Sequence, residues 1–405
     1  MQARVSTANP RHRIDRLIYV DDEIYHQEME KIFARTWQYV GHANELKRPG
    51  DFLCAAVGGQ PIVICRDDDL ALRAFFNTCA HRGAELTSKR RGNVGKVFRC
   101  MFHGWSYDLR GRLIGVPYRD AYGASFETQA HGLAPASVQT FSGMMFVSLD
   151  PQVESVEAYL GEAAPYLKKY CENTEVIGRI RWIYDGNWKL WQENFADNYH
   201  PEFTHRWVRD AQWGYADEGE NRQLDSGHGL LTWPQKPLFL DRLAAGLKEA
   251  SGLEVDPSKN PEYAFPPFPI KEEEPDVVLS VFPNLDLQYF AGGAAIIIQI
   301  KIPLAVDRTL VELLSLAPVD EAREARQWRL ERSAGIQATS GKITADDAEA
   351  LGRCQRGMAA RAVRWSNMER GQEPGKAGKT RDEYSLRSFY AGWEQYMSRS
   401  AAAIL

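Results

Sequence analysis

The 405-residue sequence predicts an α+β protein, with a small all-β domain followed by a larger domain in which helices cover an antiparallel β-sheet. Two patterns predict this class. Between residues 43 and 155, short apolar or alternating runs are separated by turns that contain Gly, Asp or Asn, which is typical of a small β domain. After residue 156, helical periodicity surrounds four consecutive strand-like runs at residues 277–318, and strands joined by such short turns form antiparallel sheets.

The elements follow in order along the chain. Residues 1–42 are predicted to be a helical segment that joins the larger domain, with an amphipathic helix over residues 22–37. The β domain contains the runs FLCAAV, PIVICR, ALRAFF, KVFRCMF and GMMFVSL. In the larger domain, residues 156–405, the strand-like runs are VVLSVFP, LDLQYF, AAIIIQIKI and LVELLSLA. Helices are predicted over residues 154–173, 187–200, 319–338, 344–369 and 382–399, and an irregular segment over residues 209–275.

The composition argues against several classes of function. A net charge of -5 does not favour binding to nucleic acid or to an anionic membrane. The longest apolar stretch, residues 294–300, is far shorter than the roughly 20 residues of a membrane-spanning helix. No secretory signal is visible, so the chain is expected to be soluble and cytoplasmic, where metal binding is a better explanation of cysteines than disulfides.

Two Cys–His pairs in the β domain form the first candidate metal site. Cys79 and His81 are spaced as Cys-x-His, and Cys100 and His103 as Cys-x-x-His, with eighteen residues between the pairs. Each pair offers one thiolate and one imidazole from a tight turn. This ligand set suits a [2Fe–2S] cluster with two cysteines on one iron and two histidines on the other, in which the neutral imidazoles raise the reduction potential.

The turns around the two pairs also suit an inorganic cluster. Gly83 and Gly104 lie close behind the pairs, and glycine lets backbone amides approach the cluster sulfurs. The same ligand types bind zinc tetrahedrally, so spacing alone leaves a structural zinc site as the alternative.

A second candidate site lies in the stretch NWKLWQENFADNYHPEFTH. His200 and His205 are five residues apart, which on a regular helix is a rotation of about 500°, so the two rings would not share one face. Pro201 cannot donate to the helix ladder, and a helix that ends or bends there could turn both imidazoles toward one point. Two histidines and one carboxylate form the facial triad of oxygen-activating Fe(II) enzymes, and by proximity alone Asp197 is the candidate carboxylate.

Both motifs resemble those of one enzyme family. CAHRG and CMFHGWSYD resemble the Rieske motif of aromatic-ring-hydroxylating oxygenases, and ENFADNYHPEFTH resembles the mononuclear-iron motif in the large (alpha) subunits of that family. The resemblance extends from IFARTWQYVGH to SLRSFYAGWEQYM. It implies a Rieske [2Fe–2S] domain at residues 43–155 and a catalytic domain with a mononuclear non-haem iron at residues 156–405.

The resemblance changes the assignment of the iron ligands. It implies that His200 and His205 bind the iron, whereas Asp197 forms a hydrogen bond to a Rieske histidine of a neighbouring subunit. The third ligand is implied to lie in ITADDAEALGRCQRG, where Asp347 is the choice and Asp346 the alternative. An acidic pair at this place would also be explained by the helix dipole, which favours carboxylates in a first turn.

The activity implied is that of a terminal oxygenase, an oxidoreductase that inserts one or both atoms of O2 into an aromatic ring. Electrons would pass from the Rieske cluster to the mononuclear Fe(II). Asn194 and Phe195 match positions near the substrate pocket of the family, with core packing as the alternative for Phe195. The substrate is expected to be a mono- or bicyclic aromatic, with benzoate- or salicylate-like carboxylates among the candidates.

The electron source is expected to be another protein. The sequence has neither a GxGxxG fingerprint after a strand nor a four-cysteine ferredoxin set, so NADH would be used indirectly through a reductase, with or without a separate ferredoxin. The resemblance implies a homotrimer, either alone or as α3β3 with a small beta subunit. Two alternatives are a Rieske protein that only carries electrons and a zinc-stabilised structural protein, although a carrier would not need a second metal motif.

Overall fold

The computed structural model describes residues 5–6, 12–205, 219–233, 275–289, 296–371 and 375–399. Within them the chain forms two compact units. The first, called the β unit, is Glu28–Tyr159. The second, called the α+β unit, combines the described residues up to Gln27 with those of Leu160–Arg399. No helix in these ranges is long and apolar enough to cross a membrane.

Strands dominate both units. They are β1 Val5–Ser6, β2 Arg13–Asp15, β3 Gln38–His42, β4 Asp51–Val57, β5 Gln60–Arg66, β6 Leu72–Phe76, β7 Arg91–Asn93, β8 Val97–Arg99, β9 Ser106–Asp108, β10 Leu113–Gly115, β11 Pro135–Phe141, β12 Met144–Ser148, β13 Thr174–Tyr184, β14 Glu220–Gln223, β15 Gly229–Trp233, β16 Asp276–Val281, β17 Leu285–Tyr289, β18 Ile296–Ala305, β19 Arg308–Pro318, β20 Trp365–Asn367 and β21 Ala377–Lys379. The α-helices are α1 Asp22–Glu28, α2 Val156–Leu160, α3 Ala164–Cys171, α4 Trp188–Ala196, α5 Pro201–Thr204, α6 Arg323–Gln337, α7 Thr344–Met358 and α8 Tyr384–Met397.

The main sheet of the β unit contains a strand, β5, that is buried on both faces. Its seven strands are ordered β3-β12-β11-β6-β5-β4-β7, and β8, β9 and β10 form a separate three-stranded sheet. Along β5, Ile62 and Ile64 pack into one core, whereas Val63 and Cys65 pack into the core on the opposite face. A strand that is covered on both sides needs apolar residues at successive positions, which explains the unbroken run PIVIC in this sequence.

The β unit starts earlier than the expected boundary at residue 43. Strand β3 belongs to its main sheet, because β3 pairs antiparallel with β12. The helix expected over residues 22–37 is shorter: α1 ends at Glu28 and continues as a π-helical turn, Met29–Phe33.

The α+β unit is built on one eight-stranded antiparallel sheet, ordered β13-β19-β18-β17-β16-β15-β14-β21. The four strand-like runs recognised in the sequence are its strands β16 to β19. Helix α4 packs across β16, β17 and β18, and α8 packs on β14 and β15. The predicted α+β class, with helices covering an antiparallel sheet, is confirmed.

Several element boundaries differ from the prediction. The helix expected over 344–369 ends at Met358, since the chain leaves it to form β20, which pairs with β2. The helix expected over 154–173 is divided into α2 and α3 by a 3-10 turn at Gly161–Ala163. The irregular segment expected over 209–275 contains β14 and β15, while residues 209–218 and 234–274 lie outside the described residues.

The sheet face under α4 contains a buried ion pair. Lys301 and Asp286 are both fully buried and form an ion pair with each other. Asp286 also accepts hydrogen bonds from Gln192 Nε2 (2.8 Å) and Ser280 Oγ (2.5 Å), and the Lys301 ammonium lies 4.5 Å from the ring centroid of Phe195. A buried charge is tolerated only when it is paired and hydrogen-bonded in this way.

We therefore expect Lys301→Met to lower the free energy of unfolding by about 3–5 kcal/mol, because it leaves the Asp286 carboxylate buried without its cation. Adding Asp286→Asn should restore part of that loss, since a neutral amide still accepts from Gln192 and Ser280. Urea denaturation measures both changes. The exposed Lys168→Met is the matched control and should stay within about 0.5 kcal/mol of the wild type. A Lys301→Met protein as stable as that control would contradict the expectation.

Candidate metal centres and substrate pocket

Two loops of the β unit present the Cys–His pairs and have the same backbone design. One loop follows β6, and the other connects β8 with β9. Cys79 O accepts from Gly83 N (2.9 Å), and Cys100 O accepts from Gly104 N (3.0 Å). Both glycines have positive φ, +71° and +72°, which residues with a side chain rarely adopt. Gly83 and Gly104, which were expected to shape the loops around the cluster, thus close the two turns behind the ligands.

The two kinds of ligand occupy different depths. Cys79 and Cys100 are 3% and 2% exposed and belong to a core cluster of the β unit. His81 is half-buried, His103 is exposed, and their ring centroids are 4.7 Å apart. Thiolates inside and adjacent imidazoles outside fit a cluster with two cysteines on an inner iron and two histidines on an outer one.

Two aromatic residues of the same motif also serve this site, and sequence reasoning gave them no role. The Trp105 ring stacks on His81 with a centroid distance of 4.8 Å and an interplanar angle of 9°. The Tyr107 hydroxyl lies 3.2 Å from Cys79 Sγ and accepts from Ala80 N at 3.1 Å. Burial, and then Cys79, raise the pKa of Tyr107, so the hydroxyl stays protonated and can donate a hydrogen bond to a Cys79 thiolate.

The second site is made possible by a break in the helix. Helix α4 ends at Ala196, and Asp197 is extended, with φ -117° and ψ 125°. The Asp197 carboxylate accepts from Tyr199 N (2.8 Å) and His200 N (3.2 Å). The chain then re-enters a short helix, α5, with Pro201 at its first position. The helix expected over 187–200 therefore ends four residues early, at a position where a capping carboxylate replaces the helix ladder.

His200, His205 and Asp347 converge across this break. One ligand atom from each lies within 4.8 Å of the others, and no other such group of three occurs in the described ranges. Asp347 Oδ1 is 3.1 Å from His205 Nε2 and 3.6 Å from His200 Nε2. Neighbouring ligands at metal bonds of about 2.1 Å are roughly 3 Å apart. Asp347 is 4% exposed, and its Oδ1 has no hydrogen-bond partner among the described residues. A buried carboxylate oxygen of this kind fits a metal ligand.

Neighbouring carboxylates orient the two rings differently. Asp197 Oδ2 lies 3.0 Å from His200 Nδ1, and because an ionised carboxylate can only accept, this nitrogen is the one that donates to Asp197. Burial raises the pKa of Asp197, but the hydrogen bond and charge of His200 outweigh it and hold that pKa below its usual range. Asp346 Oδ2 is 3.5 Å from His205 Nδ1, on the side of the ring away from Asp347. The structure therefore directs Asp347, and not Asp346, toward both Nε2 atoms.

A pocket opens beside these three residues. The space beside them is about 570 Å³ when the open mouth and adjoining solvent are included. Asn194 and Phe195, which were expected near the substrate, both line it. The other lining residues come from the ends of α4 and α5, the sheet and the α6–α7 connection: Asp197, Asn198, His200, Pro201, His205, Leu231, Trp233, Val278, Gln288, Ile336, Gln337, Ile343 and Asp347.

Sequence reasoning missed the sheet side of this pocket. Leu231, Val278 and Gln288 lie opposite one another on β15, β16 and β17 and form its floor. The glutamine inside the strand-like run LDLQYF was the available signal, since a buried polar side chain in a strand requires a partner.

Comparison with protein families is consistent with this geometry. Residues 36–141 match the Rieske [2Fe–2S] domain, and residues 162–399 match the ring hydroxylating alpha subunit (catalytic domain). These matches favour an oxygenase over an electron carrier or a zinc-stabilised protein.

Individual relatives extend over almost the whole chain. It is 29% identical to the 2-aminobenzenesulfonate 2,3-dioxygenase subunit alpha of Alcaligenes sp, over 97% of this chain and 95% of the relative. It is 30% identical to the anthranilate 1,2-dioxygenase large subunit of Acinetobacter baylyi, over 93% and 83%. The structure is similar to naphthalene 1,2-dioxygenase from Rhodococcus sp. bound to indole, with a TM-score of 0.81, 26% identity and coverage of 95% and 94%.

The two metal-site motifs, the fold and these matches agree. The chain belongs to the alpha subunits of the ring-hydroxylating oxygenases, oxidoreductases that carry a Rieske [2Fe–2S] cluster and a mononuclear iron and use O2.

Proposed function

We propose that this chain adds oxygen from O2 to an aromatic ring that carries an anionic group, with His200, His205 and Asp347 holding the iron. The observation that carries the proposal is the convergence of these three ligand atoms at the wall of the pocket. When bound, the iron supplies the activation of O2 and the cluster supplies electrons one at a time.

The protein's own residues prepare the iron site. Asp197 holds the His200 ring by its Nδ1–H, so that Nε2 faces the ligand point. Asp347 brings one negative charge to a buried position, which offsets part of the charge of a divalent ion. His200, His205 and Asp347 would hold the metal from one side, and the bound ion would supply the activation of O2 on the side of the pocket.

For the cluster we assign Cys79 and Cys100 to the inner iron and His81 and His103 to the outer iron. The difference in burial between the thiolates and the imidazoles supports this assignment. Tyr107 donates to the Cys79 sulfur and thereby stabilises the reduced, more negative state of the cluster.

The pocket supports a monocyclic aromatic carboxylate as substrate. Phe195, Leu231, Val278 and Ile343 offer apolar surface that excludes water and holds a flat ring. The two relatives named above act on 2-aminobenzenesulfonate and anthranilate, which are single rings with an anionic oxygen group. A benzoate- or salicylate-like compound has the same chemistry.

Alpha subunits of this family take electrons from reductase or ferredoxin partners and assemble as multimers. For this chain we propose a cytoplasmic homotrimer, alone or with three small beta subunits, that uses NADH through a separate reductase. In this assembly Asp197 would accept a hydrogen bond from a Rieske histidine of the neighbouring subunit. The low pKa of Asp197 supports that role, because an ionised carboxylate is the stronger acceptor.

The first test is His200→Ala. Its iron content should fall by about one atom per chain while sulfide and the visible spectrum of the cluster stay unchanged, because only the mononuclear site loses a ligand. Product formation should fall below about 1% of the wild-type rate, given that even residues behind the ligands contribute 10–100-fold. The exposed His26→Ala is the matched control. Full product formation by His200→Ala would show that His200 does not hold the catalytic iron.

A second test separates the two adjacent aspartates. Asp347→Asn should lose the mononuclear iron, since an amide is a weaker ligand and brings no charge. Asp346→Asn should retain it, because Asp346 faces the far side of the His205 ring. Metal analysis of both variants after anaerobic purification gives the answer, and the reverse pattern would move the third ligand to Asp346.

A third test concerns the cluster. Tyr107→Phe removes a hydrogen bond to a cluster sulfur and should lower the reduction potential by roughly 50 mV, the one-electron equivalent of about 1 kcal/mol. Redox titration followed by visible circular dichroism measures the change. Tyr122→Phe, which alters a tyrosine near Trp105 in the same unit, is the control and should leave the potential unchanged. A reduction potential in Tyr107→Phe equal to that of the wild type would contradict the proposed role of Tyr107 in stabilising the reduced cluster.

A further inference from the structure

A chain of hydrogen-bonded side chains runs from the interior of the α+β unit to the pocket. Trp191 Nε1 on α4 donates to Gln299 Oε1 on β18 (3.1 Å). Gln299 Nε2 donates to Gln337 Oε1 at the end of α6 (3.3 Å), and Gln337 Nε2 donates to Gln288 Oε1 on β17 (2.9 Å). All four side chains are buried, and the last two line the pocket.

The tryptophan fixes the direction of this chain. An indole N–H can only donate, so the amide oxygen of Gln299 must face it. Each glutamine then has its nitrogen left to donate to the next oxygen. The oxygen and nitrogen of a side-chain amide have nearly the same size and shape. Here the indole N–H of Trp191, which can only donate, determines which atom is the oxygen in each glutamine. The hydrogen-bonded series therefore ends with the oxygen of Gln288 as an acceptor, and its NH2 group remains as a donor that no described residue uses.

Gln288 lines the pocket, and none of the described residues accepts a hydrogen bond from its NH2 group. The residue is 2% exposed, and Nε2 has no hydrogen-bond partner in the described ranges. Asn198 adds a second such group, because it is 5% exposed, lines the same pocket and leaves Nδ2 unpaired there. Buried donors that find no acceptor in the protein are stabilised when a ligand supplies one.

No described residue that lines the pocket is a lysine or arginine. Among the described side chains of this lining, the amides of Gln288 and Asn198 are therefore the candidates to donate to a polar group of the substrate. A substrate carboxylate offers up to four acceptor sites and forms strong, charge-assisted bonds to such donors, whereas a methyl group at the same place would leave them unpaired.

We infer that Gln288 determines specificity by donating its amide hydrogen to an oxygen of the carboxylate of an aromatic substrate. Gln337, Gln299 and Trp191 are positioning residues that hold this amide in its donating orientation. The inference rests on the proposed function, whose substrate class it deepens by naming the contact that recognises the anionic group.

The test compares benzoate with toluene. Both are single benzene rings, but benzoate carries a carboxylate where toluene carries a methyl group. Direct binding to the intact oxygenase is measured by calorimetry without turnover. The wild type should bind benzoate more tightly than toluene. Gln288→Met, which keeps the length of the side chain and loses the donor, should weaken benzoate binding roughly 10- to 100-fold and leave toluene binding unchanged.

Two further variants complete the test. The exposed Gln327→Met makes the same chemical change on the surface of α6 and should bind both compounds as the wild type does. Trp191→Phe keeps an aromatic ring but removes the N–H, so the amide chain can reverse and present an oxygen to the pocket. Benzoate affinity should then fall several-fold with toluene affinity retained.

Two results would overturn the inference. One is that Gln288→Met binds benzoate as tightly as the wild type does. The other is that the wild type binds toluene as tightly as it binds benzoate. The proposed function is tested separately, by product formation from benzoate with an electron donor. If either overturning result is found while benzoate is still converted to product, only the role of Gln288 is removed. Selective binding of benzoate without any product removes the oxygenase proposal and retains the recognition site.

Discussion

The iron site depends on the interruption of the helix between Ala196 and Pro201. On a continuous helix the rings of His200 and His205 would point about 140° apart and could not meet at one ion. Asp197 makes the interruption by accepting two backbone N–H groups of the next turn, and the same carboxylate holds His200 Nδ1. One side chain thus couples the path of the backbone to the orientation of a ligand.

The position of that interruption depends in turn on how α4 is fixed to the sheet. Adjacent residues of the helix, Trp191 and Gln192, form directional hydrogen bonds to Gln299 and Asp286 on two different strands. Apolar contacts alone would allow a helix to slide or rotate on a sheet with little change in free energy, because burial is not directional. The buried polar groups under α4 are satisfied in only one position of the helix on the sheet. This position also determines where the C-terminal end of α4 lies.

The sequence was informative where the chemistry is local. Each Cys–His pair lies within one turn, and β16 to β19 are consecutive strands, so their spacing predicts both. Asp347 lies far from His200 along the chain, and only resemblance could suggest it. The end of α4 was misplaced because a side-chain cap, rather than a breaker residue, stops the helix at Asp197. Gln288 could not be assigned, since its role depends on partners from three other elements.

Strand β5 has a consequence for how this family of sequences can vary. Because both faces of its central part are apolar, shifting it by one residue would exchange Ile62 and Ile64 with Val63 and Cys65 and still bury apolar side chains on both faces. Hydrophobicity therefore does not fix its alignment. The two-residue turn between Val57 and Gln60 does, since it sets which residues of β4 and β5 are opposite. Insertions should thus be rare in this turn during evolution and more frequent in loops that set no strand register.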